Sequence, residues 1–142
     1  MKLSILALAF LLTAATTSRP SEVGTRMPTP VSILELIANP DKHDGKSLGA
    51  VGYLELRDDN SVLYLHREDF DFGLYVNSLK IEFEPKLTGV DLAKFDLHYV
   101  YLRGKFDAKD RGPRSDMGGS IKQTDVVILW TGPKPQPVTS PG

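Results

Sequence analysis

The sequence predicts a mostly-β domain: a five-stranded barrel preceded by a short helix, with a short helical connection between its third and fourth strands. Three observations carry that prediction. Apolar and polar residues alternate in five separate stretches, the period of a strand with one buried face. Turn and breaker residues separate the stretches at short spacing. A helix-start pattern followed by an apolar stripe occurs once, ahead of the first strand.

Taken in order, Ser32-Ile33-Leu34-Glu35 is a capping box, in which the hydroxyl accepts an amide of the first turn and the Glu35 carboxylate reaches back. Ile33, Leu34, Leu36 and Ile37 supply the buried stripe, and Asn39-Pro40 ends the helix because a residue before proline is pushed out of the helical region. A turn over 41–45 follows. Leu48, Ala50, Gly52, Leu54 and Leu56 then alternate with Gly49, Val51, Tyr53, Glu55 and Arg57 in a long first strand. Asp58-Asp59-Asn60 makes a hairpin, 62–66 returns as the second strand, and Leu79, Ile81 and Phe83 mark a third that Pro85 stops. Residues 87–95 hold one or two helical turns. Val100, Leu102 and Phe106 mark the fourth strand, a polar loop over 109–116 follows, and the fifth strand runs over about 119–130 with a bulge near 123–125 where the alternation breaks. Gly52 and Gly104 occupy equivalent places in two apolar series, which predicts a bend or a close backbone approach at each. This is the order of an OB-like Greek-key barrel, with a small sandwich as its competitor.

Composition narrows the class further. The 142 residues include 17 Lys and Arg against 18 Asp and Glu, and no cysteine. One ordinary domain fits that length. The balanced charge argues against a nucleic-acid binder that grips phosphates through excess cations, and the missing cysteine removes disulfides, thiolate metal sites and thiol nucleophiles. Lys2, an apolar run over 3–12 and small residues over 13–18 have the three parts of a secretory leader, with cleavage expected at about 15–18. The run is shorter than the roughly 20 residues a membrane span needs. Loss of Lys2 takes the formal charge from −1 to −2. The expected product is exported to the periplasm or outside the cell with no stable membrane anchor: a linker over 19–30, the barrel over 31–131 and a proline-rich tail over 132–142.

A set of motifs adds a resemblance. Leu34-x-x-Ile37-Ala38-Asn39-Pro40-x-x-x-x-Gly45-Lys46, Val51-Gly52-Tyr53-Leu54, the run from Leu63 through Asp69, Asn77, and Tyr99-Val100-x-Leu102-x-Gly104-x-Phe106 together resemble a family of small exported bacterial proteins of unassigned function with an OB-like barrel. The resemblance covers about 31–129. Where members often read G-H-M-G, this chain has Ser115-Asp116-Met117-Gly118 and lacks the histidine. It implies a fold and a compartment and carries no activity.

The sequence assigns no catalytic residue, metal or cofactor. His66 with Glu68 and Asp69 is the one local cluster of histidine and carboxylates, and it reads as a solvated strand end. The acidic stretches miss the spacing of a calcium loop, and no serine sits in a nucleophile elbow. Strand parity is more informative. With Leu54, Leu65, Ile81 and Leu102 facing the core, Tyr53, Tyr64, His66, Lys80, Tyr101 and Arg103 form a candidate outer binding face, joined by Tyr99. Such residues stack on bases or sugars in OB barrels, or else pack beneath the helix and loops, which is the favoured reading. Loops over 68–76 and 109–118 add Asp69, Phe70, Phe72 and Met117 as candidate contacts. The expected role is a noncatalytic binding or accessory domain for a protein, peptide or small molecule of the cell envelope. Oligosaccharide or nucleic-acid binding, or a hydrolase without a motif, stand as alternatives.

Overall fold

The computed structural model describes residues 27–132. The expected leader, most of the linker and nearly all of the proline-rich tail lie outside the described residues.

Five strands close on themselves. These are β2 (Ser47–Glu55), β3 (Ser61–Tyr64), β4 (Ser78–Phe83), β5 (His98–Asp107) and β6 (Ser120–Leu129), joined in the order β2-β3-β4-β6-β5 with β5 returning to β2. β4 and β6 run parallel, and the other barrel neighbours are antiparallel. This is the expected five-stranded OB-like barrel, and its strand directions are mixed. The inward residues of every strand meet in one core that includes Leu48, Ala50, Leu54, Leu63, Leu79, Ile81, Val100, Leu102, Phe106 and Ile121.

Parity alone did not place the two glycines of the echo, because each answers to a third strand. Gly52 lies where β2 changes neighbour, from β1 (Pro30–Val31, parallel to Gly49 and Ala50) to β3. A Cβ there would stand 2.5 Å from the Tyr64 carbonyl oxygen. Gly104 lies opposite the bulge of β6, where the register jumps and Gln123 takes a positive φ of 52°. Its Cβ would stand 2.6 Å from both the Lys122 carbonyl oxygen and Ile121 Cγ2. The bulge itself falls at 123–125, as the broken alternation predicted.

The helical parts depart from expectation in detail. α1 (Ile33–Ala38) begins at Ser32, whose Oγ accepts from Leu34 N at 3.2 Å. Glu35 does not complete a capping box. Its carboxylate reaches forward instead, accepting from Asn39 Nδ2 at 2.9 Å and Lys42 Nζ at 3.0 Å with His43 Nε2 at 3.1 Å. His43 first, then Lys42 and Asn39, hold its carboxyl down to about 2. Ile33 and Leu36 enter the core, but Leu34 turns outward and is 57% exposed. The predicted turn after Pro40 is a second helical turn, α2 (Pro40–His43), because proline at the first helical position gives up an amide that has no partner there anyway. The connection after β4 contains two 3-10 turns, Pro85–Gly89 and Leu92–Phe95, and Phe95 from the second plugs the core. β1 lies within the stretch expected as linker and barrel start, and it is held by backbone pairing to β2.

The largest departure lies after β3. The stretch expected as a solvated loop opens with α3 (Arg67–Asp71), followed by a 3-10 turn Tyr75–Asn77.

Candidate functional site

α3 and the turn after it determine what the outer face of the barrel offers. Tyr53 and Tyr64 stand opposite one another on β2 and β3, facing away from the core as parity predicted. They are only 6% and 1% exposed. The Phe70 ring lies 5.6 Å from that of Tyr53 and 5.7 Å from that of Tyr64, Tyr75 lies 6.0 Å from Tyr64, and Met117 completes this second apolar cluster together with Val62. Tyr101 is buried under the chain entering β1: its hydroxyl donates to the Pro28 carbonyl at 2.9 Å, and its ring lies flat where Gly49 has no side chain. Tyr53, Tyr64 and Tyr101 are therefore packing residues rather than a stacking platform. A period of two shows which side of a sheet a residue takes, and it is blind to a segment folded over that side.

The polar candidates are spoken for in a similar way. Asp69 is buried and ties the arm over 66–77 to itself, since Oδ2 accepts from His66 N at 2.9 Å and Oδ1 from Asn77 Nδ2 at 2.8 Å. The exposed His66 ring stands 3.6 Å from the same carboxylate. Arg103 makes a two-pronged pair with Asp125, at 2.9 and 2.6 Å. Lys80 bridges Glu82 at 2.7 Å and Asp110 at 3.0 Å, Lys122 bridges Asp110 at 3.0 Å and Asp107 at 2.9 Å, and the result is one ladder of alternating charge joining β4, β6 and the loop after β5.

That ladder predicts an acid limit. Burial pushes the Asp110 carboxyl up, but hydrogen bonds from Lys80 and Lys122 outweigh it and hold it down to about 2. Hydrogen bonding to Lys122, then to Lys109 N, lowers Asp107 as well. A carboxyl depressed on folding takes up its proton first in the unfolded chain. Its stabilisation is therefore complete above pH of about 4 and is lost as pH falls toward about 2, a change of roughly 2 kcal/mol from Asp110. In urea unfolding across that window, Asp110→Asn starts less stable at neutral pH and loses less on acidification. Parallel acid limbs in the two proteins would refute the assignment.

One cluster escaped sequence reading altogether. Arg57 leaves the end of β2, pairs with Glu55 Oε2 at 2.8 Å and donates to Tyr75 Oη at 3.0 Å, while Tyr64 Oη donates to the same Glu55 oxygen at 3.0 Å. Arg57 and Arg114 lie 5.6 and 4.6 Å from the centre of the Tyr75 ring. The Arg57 hydrogen bond lowers the Tyr75 phenol, and burial first, then Glu55, raises that of Tyr64. The loops over 68–76 and 109–118, read separately in the sequence, are thus joined through Tyr75 and Arg114. No spacing in the sequence announces this, because the three groups come from three separate segments.

Beside the exposed His66, Arg67, Glu68 and Asp71, the arm turns three apolar side chains outward. Phe70, Tyr75 and Asn77 turn toward the barrel, whereas Phe72, Leu74 and Val76 are 78%, 45% and 60% exposed. Gly73, at a φ of +63°, allows the change of direction that ends α3. Of the four loop contacts predicted, Phe72 alone is open to a partner; Asp69 and Met117 are buried, and Phe70 is half-buried.

No family model and no curated protein matches the chain. Among solved structures it is similar to OBody AM3L15 bound to hen egg-white lysozyme, with a TM-score of 0.49 and 16% identity over 79% of this chain and 98% of that one.

Proposed function

We propose that the chain is an exported, noncatalytic binding or accessory domain of the bacterial cell envelope, akin to the exported family it resembles, and that it engages a protein or peptide through the arm between β3 and β4. The exposed Phe72, Leu74 and Val76 carry this reading. Their backbone is anchored at both ends by main-chain hydrogen bonds: Leu74 N bonds to Asp69 O at 2.7 Å, and Leu65 N bonds to Asn77 O at 2.9 Å. Apolar side chains held out on a fixed scaffold lose little entropy when covered, and each gains the free energy of leaving water. The leader-like start supplies the compartment.

Two measurements test the reading. Cell fractionation with mass analysis of the N-terminus should find the chain outside the cytoplasm, cut at about 15–18. Crosslinking pull-down from envelope extract should capture a partner with the wild type and lose it with Phe72→Asp, whose stability should stay within about 0.5 kcal/mol of wild type because the side chain touches little. A cytoplasmic, uncut chain overturns the compartment. Absence of a partner, or equal capture by Phe72→Asp, overturns the site.

A further inference from the structure

Beyond Thr124 the last strand is paired on one side only, with the 3-10 turn Leu92–Phe95 packed near it. Glu84 N donates to Thr124 O at 2.9 Å, and β4 then ends, while β5 continues beside β6 as far as Val100 opposite Leu129. Trp130 N donates to Tyr99 O at 2.9 Å, which fixes the hydrogen-bonding phase. Ile128 and Val126 turn their amides toward β5, and Val127 and Leu129 turn theirs away. Among the described residues nothing bonds to the outward amides and carbonyls of those two.

The free edge is also apolar. Val126, Val127, Ile128, Leu129 and Trp130 follow one another without a charge or a proline, and the last three are 37%, 46% and 38% exposed. Tyr99, opposite Trp130, is 37% exposed and Leu97 is 44% exposed. Leu97 sits at a φ of +55°, where a branched side chain costs more than glycine or asparagine would, and it is held there by its amide bond to Leu54 O at 2.8 Å. Edges left open in this way are normally guarded by lysine, proline or a bulge. Here the bulge comes before the open stretch, and the nearest charge on the strand, Asp125, is committed to Arg103.

We infer that a second copy of the chain docks on this edge, β6 against β6, antiparallel about Ile128. The self-complementarity of the strand selects that occupant. With Ile128 opposite Ile128, Val127 falls opposite Leu129 of the second copy. Both residues turn their free amides outward, so each such pair exchanges two bonds. Val126 falls opposite Trp130 and Asp125 opposite Thr131, so no like charges meet. The arrangement is two-fold and closes on itself, giving a dimer rather than a fibre. The pairing residues Val127 and Leu129 are not part of the arm assigned above to a partner, although Tyr99 adjoins both surfaces, its hydroxyl accepting from Arg67 N at 3.1 Å.

Analytical ultracentrifugation of the whole processed chain, taken as the producing cell leaves it, should show a monomer–dimer equilibrium. Ile128→Lys sets like charges opposite one another and should raise the dissociation constant at least about tenfold, with the melting curve of the dilute protein unchanged. Hydrogen exchange gives a readout independent of that variant: the Val127 and Leu129 amides should gain protection as concentration rises and lose it on dilution. A chain that stays monomeric at the highest soluble concentration overturns the proposal. So does a dimer that withstands Ile128→Lys while those two amides exchange freely.

Discussion

Tyr64→Ala should destabilise the barrel by about 4 kcal/mol in urea unfolding, a cost typical of emptying a buried aromatic site. The ring is 1% exposed and meets Phe70 and Tyr75 at the centre of the second apolar cluster. Truncation opens a cavity between the sheet and α3, a helix too short to hold itself without that contact. It also takes the hydroxyl from Glu55 Oε2, leaving Arg57 to satisfy that oxygen alone. Tyr64→Phe separates the two effects. It keeps the packing, removes the one hydrogen bond, and should cost about 1 kcal/mol. If Tyr64→Ala unfolds within about 1 kcal/mol of wild type, the arm does not depend on the tyrosine, and the outer face is more open than its burial implies. The result also bears on function, because binding lost in Tyr64→Ala reports lost structure, whereas binding lost in Phe72→Asp reports a lost contact.

The same residues show how far the sequence could be read. Leu54, Ile81 and Leu102 face the core and Tyr53, Tyr64 and Tyr101 face away, as alternation alone requires. The bulge at 123–125 was legible because a strand cannot insert residues without breaking its own period. α3 was not legible. Five residues make little more than one turn, too few for a stripe, and its start is marked by His66 rather than the serine or threonine that usually signals a cap. β1 was missed because two residues carry no period, and their pairing depends on Gly49 and Ala50 far along the chain. Glu35 satisfied the spacing of a capping box, yet it found three donors ahead of it that spacing does not reveal. The Arg57–Tyr75–Arg114 cluster depends on three segments meeting, and no local pattern encodes such a meeting.

Gly52→Ala and Gly104→Ala should each cost about 3 kcal/mol, the upper range for forcing an extra carbon into a packed interior. In both cases the obstacle is a backbone carbonyl, 2.5 Å away at Gly52 and 2.6 Å at Gly104, and a carbonyl tied into a sheet cannot turn aside as a side-chain tip can. Gly45→Ala is the control. A Cβ there meets nothing within 4 Å, and only the φ of +74° opposes it, so about 1 kcal/mol is expected. Melting temperatures should fall further in Gly52→Ala and Gly104→Ala than in Gly45→Ala. Equal losses at Gly45 and Gly52 would show that crowding against the Tyr64 carbonyl does not select glycine in β2.

The parallel pairing of β4 with β6 has a consequence in time. β4 has only two neighbours, β3 and the strand made last, and β2 closes against β5 some fifty residues later in the chain. No shorter length of chain can therefore close the ring, and contacts between such distant segments form slowly. A chain made from its N-terminus therefore stays unclosed until Leu129 has followed.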